Sequence, residues 1–202
     1  MLEAMALECV RGERRLFTDL SFGLGAGELL QVRGPNGSGK TSLLRMLCGL
    51  LPPAEGEVRW RGSRIGKLGE EFYREVAYLG HLPALKDEFT AEENLRVANG
   101  LEGIEIDRRE AYAALKRMGL AGRETLPAKV LSAGQRRRVA LARLLTCGAT
   151  LWVLDEPLTA LDKSAVALVQ ELLMEHLARG GLAVLTTHHD LDVPGRHLEL
   201  GA

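Results

Sequence analysis

Gly34-Pro35-Asn36-Gly37-Ser38-Gly39-Lys40-Thr41 is a complete G-x-x-x-x-G-K-[ST] phosphate loop, and no other stretch restricts the possible folds as much. Such a loop has to leave a strand and enter a helix, because its amides must converge at a helix N-terminus. The flanks agree: Leu29 to Arg33 is a short, mostly apolar strand, and Thr41 to Leu51 reads as a helix stopped by Pro52-Pro53. Gly34, Gly37 and Gly39 permit backbone angles and a close approach that side chains would block, turning successive N–H groups toward the phosphates of a nucleotide. Gly34, Pro35, Asn36, Gly37, Ser38, Gly39, Lys40 and Thr41 are therefore the expected cradle for ATP. Within it, Lys40 contacts the β- and γ-phosphates and the Thr41 hydroxyl coordinates Mg²⁺.

The rest of the chain extends this strand-loop-helix start into an α/β fold. Leu20-Ser21-Phe22 and Glu57 to Trp60 read as strands of an antiparallel flank that would cover the base and ring of the nucleotide. Two capping boxes, Thr90 with Glu93 and Asp107 with Glu110, open helices in the middle of the chain. Beyond them, Leu151 to Leu154 and Leu182 to Leu185 are buried parallel strands. The helix between them is capped by Asp162 and carries Ala165, Leu168, Val169, Leu172 and Leu173 on one face. The expected organisation is one domain over residues 1–202, with a mainly parallel core sheet, the antiparallel flank and a helical subdomain at about 82–145.

Composition limits the partners. Lys plus Arg number 26 against 27 for Asp plus Glu, so no global basic field favours nucleic acid. The first residues lack a basic and then apolar leader, and no window approaches the ~20 apolar residues that span a bilayer. Attachment to a membrane is therefore expected only through another protein. Cys9, Cys48 and Cys147 are isolated and read as buried, reduced thiols.

Further candidate residues sit where strands end. Asp155 closes a buried strand, which puts its carboxylate at the C-terminal edge of the sheet, where open α/β sheets bind ligands and where it can hold Mg²⁺. Glu156 follows, close enough to the γ-phosphate to act as general base toward water, a role worth ~10²–10⁴ in rate. His188 reaches the same edge after the strand that ends at Leu185. Ser132 and Gly134 open a helix whose N-terminus offers donors and a positive dipole but no base, so they await a phosphate from elsewhere. The Arg136-Arg137-Arg138 run reads as a solvated helix face.

Leu131-Ser132-Ala133-Gly134-Gln135 resembles the signature sequence of ABC-type ATPases, and the order of the motifs along the chain resembles that family throughout. The resemblance implies a P-loop NTPase of ABC-cassette type. It implies a homodimer sandwiching two ATP, in which Ser132 and Gly134 meet the γ-phosphate bound to the other subunit. His188 matches the switch histidine that senses that phosphate. Leu158 to Asp162 matches the loop linking the two ATP sites, although Asp162 as a plain helix cap serves equally well. Two positions depart from the pattern. Gly80-His81 stands where the family carries glutamine. Arg11 stands near the aromatic that stacks on adenine, where either a stacked guanidinium or an ordinary surface arginine accounts for it.

Within the family, Tyr78 to His81, Thr90 to Leu95, Met118 to Gly122, Leu131 to Leu144, Asp155 to Lys163 and Leu185 to His188 are similar to the ATP-binding subunits of cytochrome c maturation systems, which are haem-exporter cassettes. That likeness implies an ATPase on the cytoplasmic face of the inner membrane, held there by integral membrane transporter subunits. It would drive haem export or the release of a haem-loaded chaperone. The alternatives are the ATPase of a different ABC exporter and a soluble ABC ATPase without a transporter.

Overall fold

Two apolar runs set the layering. Leu151–Asp155 and Leu182–Thr186 are buried at every position, as strands covered on both faces must be. Along both runs the residues alternate between two cores: Leu151, Val153, Leu182 and Val184 enter one, and Trp152, Leu154, Ala183 and Leu185 the other. The computed structural model describes residues 1–201.

Its elements run β1 (Leu2–Arg11), β2 (Arg14–Leu24), β3 (Leu29–Arg33), α1 (Lys40–Leu47), β4 (Glu55–Trp60), β5 (Ser63–Arg64), the single turns α2 (Ile65–Leu68) and α3 (Glu70–Tyr73), and β6 (Val76–Leu79). They continue with α4 (Ala91–Leu101), α5 (Arg108–Arg117), α6 (Ala133–Ala142), β7 (Leu151–Asp155), α7 (Lys163–Ala178), β8 (Leu182–Thr186) and β9 (Arg196–Glu199). The core sheet has the order β6-β7-β8-β3-β9, with every pair parallel, and the flank has the order β2-β1-β4-β5, with every pair antiparallel. Helix α1 fills the space between the sheets: Leu43, Leu44 and Leu47 meet Leu2 and Leu7 of β1 and Leu30 and Val32 of β3 in one core. Helices α4 to α7 cover the other face of the core sheet.

Both capping boxes form, Thr90 with Glu93 at α4 and Asp107 with Glu110 at α5, and the Asp162 carboxylate accepts from the Ala165 amide to cap α7. All three cysteines are free and buried. Helix α1 is shorter than the expected span to Leu51. It ends at Leu47 because Gly49 turns left-handed (φ 72°), and the amides of Leu50 and Gly49 close on Arg45 O and Met46 O. That is a Schellman stop, acting before the prolines are reached. Strands β1, β5 and β9 are additions to the sequence reading. β9 lies parallel to β3 on the side away from β8.

Candidate functional site

The phosphate loop runs from the C-terminal end of β3 into α1, and the C-terminal ends of β7 and β8 lie beside it in the sheet. Together they shape a cleft of about 460 Å³, whose lining includes Lys40, Thr41, Asp155, Glu156, His188 and His81. Residues separated by more than a hundred positions thus meet at one sheet edge, as the topology of open α/β folds favours.

The loop is built for an anion. No side chain caps α1, its first turn holds no acid, and among the described residues no acceptor meets the amides of Gly39, Lys40, Thr41 and Ser42. The Lys40 ammonium folds back onto the carbonyls of Gly34 (2.7 Å) and Pro35 (3.2 Å). Ser38 Oγ is buried with no partner. Gly34 is required twice over: φ is 139°, and a Cβ there would lie 2.3 Å from Leu200 O. Gly39, at φ 101°, is covered by Leu16 and the Phe17 ring.

Opposite the loop, one carboxylate is held at both oxygens. Thr41 Oγ1 donates to Asp155 Oδ2 and Thr186 Oγ1 donates to Asp155 Oδ1, each at 2.8 Å. Asp155 and Thr186 are directly paired across β7 and β8, which explains the second contact. Thr186 Oγ1 also accepts from the Glu156 amide at 3.0 Å. Glu156 adopts φ 50°, a left-handed conformation that L-residues other than Gly, Asn and Asp seldom take. Its Oε1 is buried with no hydrogen-bond partner, and His188 Nε2 lies 3.5 Å away at the solvent edge.

The donor set fits a nucleotide with a divalent cation. Free amides, a lysine and an orphaned serine hydroxyl suit phosphate oxygens, and a hydroxyl beside a carboxylate is an oxygen pair suited to a hard cation. Among the described residues no three His, Cys, Asp or Glu side chains converge as a metal site. A cation here would therefore draw its other ligands from phosphate and water.

Several expected residues stand apart from the cleft. Ser132 and Gly134 are not in its lining. Ser132 caps α6, its Oγ accepting from the Gln135 amide while Gln135 Oε1 accepts from the Ser132 amide. Gly134 packs against the loop before α7, where a Cβ would come within 2.6 Å of Ala160 O. Arg11 is exposed at the end of β1, across the hairpin from Arg14, and it is Leu16 that lines the cleft. His81 is exposed and does line it. The arginine run is not a uniform solvated face, since Arg137 is only 3% exposed. Sequence reading also missed Thr186, for which the only sign in the sequence is its place directly after the apolar run Leu182 to Leu185.

Compared with known proteins, residues 17–159 match the family model for ABC transporters. The chain is 59% identical over 198 residues to the "Cytochrome c biogenesis ATP-binding export protein CcmA" of Nitrosospira multiformis, covering 98% of this chain and 96% of that one. It is 54% identical to the protein of the same name from Dechloromonas aromatica, over the whole of both chains. Among solved structures, a putative ABC transporter ATP-binding protein from Pyrococcus furiosus superposes with a TM-score of 0.86 at 26% identity, covering 98% of this chain and 96% of that one. A dimeric, post-hydrolysis ATP-binding cassette bound to ADP and Pi superposes with a TM-score of 0.79 at 25% identity, covering 94% and 88%.

Proposed function

The chain belongs to the ABC transporter family of ATP-binding cassettes, and from that premise we propose that it is the ATP-hydrolysing subunit of an export complex for cytochrome c biogenesis. The observation that carries the hydrolytic part is the single cleft in which Lys40, Thr41, Asp155, Glu156 and His188 meet. The cytochrome c part is supported by the names of relatives that match nearly the whole chain.

In this reading the free amides of the phosphate loop bind the nucleotide's phosphates. Lys40 leaves its carbonyl partners to contact the β- and γ-phosphates, a move that needs only rotation of its flexible stem. Thr41 and Asp155 hold Mg²⁺, which when bound neutralises charge on the phosphates. Glu156, with one oxygen free of hydrogen bonds, accepts the proton of the attacking water. His188, at the mouth of the cleft, orients the γ-phosphate.

Ser132 and Gly134 open α6 outside the chain's own cleft, so they serve the ATP of a second copy. The proposed working form is a homodimer sandwiching two ATP, a form supported by the dimeric cassettes that this chain resembles. No helix among the described residues is long and apolar enough to cross a membrane. Attachment to the cytoplasmic face of the inner membrane is assigned to integral transporter subunits. Their docking place is the groove between the Gly80–Leu85 loop and α4, where Leu82 is 76% exposed. The step driven is haem export or release of a haem-loaded chaperone.

The test is covalent haem staining of c-type cytochromes in cells lacking this protein, complemented with wild type or with Glu156→Gln. Rescue by wild type alone is expected. Normal cytochromes in the uncomplemented deletion would reject the biogenesis role. Rescue by Glu156→Gln would reject the hydrolytic one.

A further inference from the structure

Arg137 is a cation buried without a carboxylate partner. It lies in the first turns of α6, and each of its N–H groups meets a backbone carbonyl. Nε donates to Pro157 O at 3.1 Å. Nη1 donates to Gly80 O at 2.9 Å and His81 O at 3.2 Å. Nη2 donates to Asp155 O at 2.9 Å and Glu156 O at 2.7 Å. A guanidinium carries five donors in a planar fork, and all of them are engaged here. Burial pushes the side chain below the ordinary arginine pKa, opposed by the charges of Asp155 and Glu156.

The five acceptors belong to two loops. Gly80 and His81 follow β6, whereas Asp155, Glu156 and Pro157 end and follow β7, its neighbour in the sheet. Past the strand ends no ladder holds these loops together, so the fork of Arg137 takes over that task. A lysine has three donors on one atom and a glutamine two, so neither can span the same set.

Glu156 has most to lose. Its left-handed backbone costs on the order of 1 kcal/mol or more and persists only where the surroundings over-determine it. Three contacts do so: Thr186 Oγ1 holds its amide, and its carbonyl accepts from Arg137 Nη2 at 2.7 Å and, more weakly, from the Thr159 amide at 3.3 Å. Without Arg137 the carbonyl keeps only the longer Thr159 contact, and the peptide can relax to negative φ and carry the carboxylate out of the cleft.

We propose that Arg137 is a positioning residue for ATP hydrolysis, locking Glu156 in its left-handed conformation and tying it, with the Gly80–His81 segment, to α6. Helix α6, Glu156 and the loop assigned to the membrane partner then move as one body. The inference rests on the reading of Glu156 as general base. Arg137 itself does not line the cleft.

The experiment compares wild type, Arg137→Gln, Arg137→Lys, Glu156→Gln and the Arg137→Gln/Glu156→Gln double variant in steady-state ATP turnover, equilibrium binding of a fluorescent ATP analogue and thermal melting. Displacement by about 1 Å of a group near the chemistry costs about 10²-fold in rate. Arg137→Gln should therefore lose roughly that in kcat, with analogue affinity within about threefold of wild type. Arg137→Lys should fall between, and the double variant should be no slower than Glu156→Gln alone. The inference is overturned if Arg137→Gln turns over within threefold of wild type while Glu156→Gln is inactive. It is also overturned if kcat and analogue binding fall together, which marks a purely structural role, or if the double variant is clearly slower than Glu156→Gln. Should Arg137→Gln fail to fold, Arg137→Lys decides: turnover within twofold of wild type overturns the inference, and a kcat-only loss supports it. Wild-type turnover by Glu156→Gln would instead remove the site reading beneath it.

Discussion

Replacing Thr186 with valine keeps the shape of a fully buried side chain and removes only its hydroxyl, which joins Asp155 Oδ1 to the Glu156 amide. Valine leaves no cavity, so the whole effect is polar. The loss strands one part-buried N–H and one buried carboxylate oxygen, and a buried group left without its partner costs about 1–3 kcal/mol. The expected destabilisation is therefore about 2–4 kcal/mol, the upper end being limited by Thr41, which still donates to Asp155 Oδ2. For a chain of this size each kcal/mol lowers Tm by about 2–4 °C, so calorimetry should record a fall on the order of 10 °C. Turnover should fall as well, because Glu156 loses the contact on its amide that helps hold φ at 50°. ATP binding should survive, since the phosphate loop is untouched. Thr186→Ser retains the hydroxyl and should restore turnover to within a few-fold of wild type. A valine variant with wild-type Tm and kcat would refute the bridging argument outright.

Other consequences are open to simple tests. A Cβ at Gly134 would sit 2.6 Å from Ala160 O and must push the loop before α7 aside. Gly134→Ala should cut turnover about tenfold or more while nucleotide affinity of the single chain stays unchanged, and full activity would show that this close approach is easily relieved. His176 stacks on Trp152 at 3.9 Å, with Nε2 against Leu182 O, and burial holds its pKa below the ordinary 6.5 despite carbonyl contacts that raise it. The folded protein then binds this proton more weakly than the unfolded chain. The stability contributed by the neutral ring is complete above pH 6.5 and is lost as pH falls through the lowered folded value. Urea midpoints taken on both sides of that window should fall more for wild type than for His176→Phe, which keeps the stack; equal falls would count against a titrating His176.

Much of the fold was legible in the chain because its signals are local. The capping boxes at Thr90 and Asp107 involve residues three apart, and the runs at Leu151 and Leu182 declare their burial by composition. The cradle from Gly34 to Thr41 was likewise readable as one contiguous motif. What escaped depends on distant partners. Arg137 looks like its neighbours Arg136 and Arg138 until β6 and β7 bring five carbonyls around it. Thr186 looks like any strand-end threonine until the register sets it opposite Asp155. Strand β9 reads Arg-His-Leu-Glu, with no apolar alternation to announce it, and exists because the edge of β3 would otherwise lack a partner.

The place of β3 also bears on how the protein folds. This strand carries the phosphate loop, yet its hydrogen-bonded neighbours are β8 and β9, both near the far end of the chain. The ladder of β3 therefore cannot be completed before Leu182–Glu199 are available to pair with it. Pairing over such long sequence separation slows folding. The strand that carries the phosphate loop is thus held in the sheet by partners that lie more than a hundred and forty residues away in sequence.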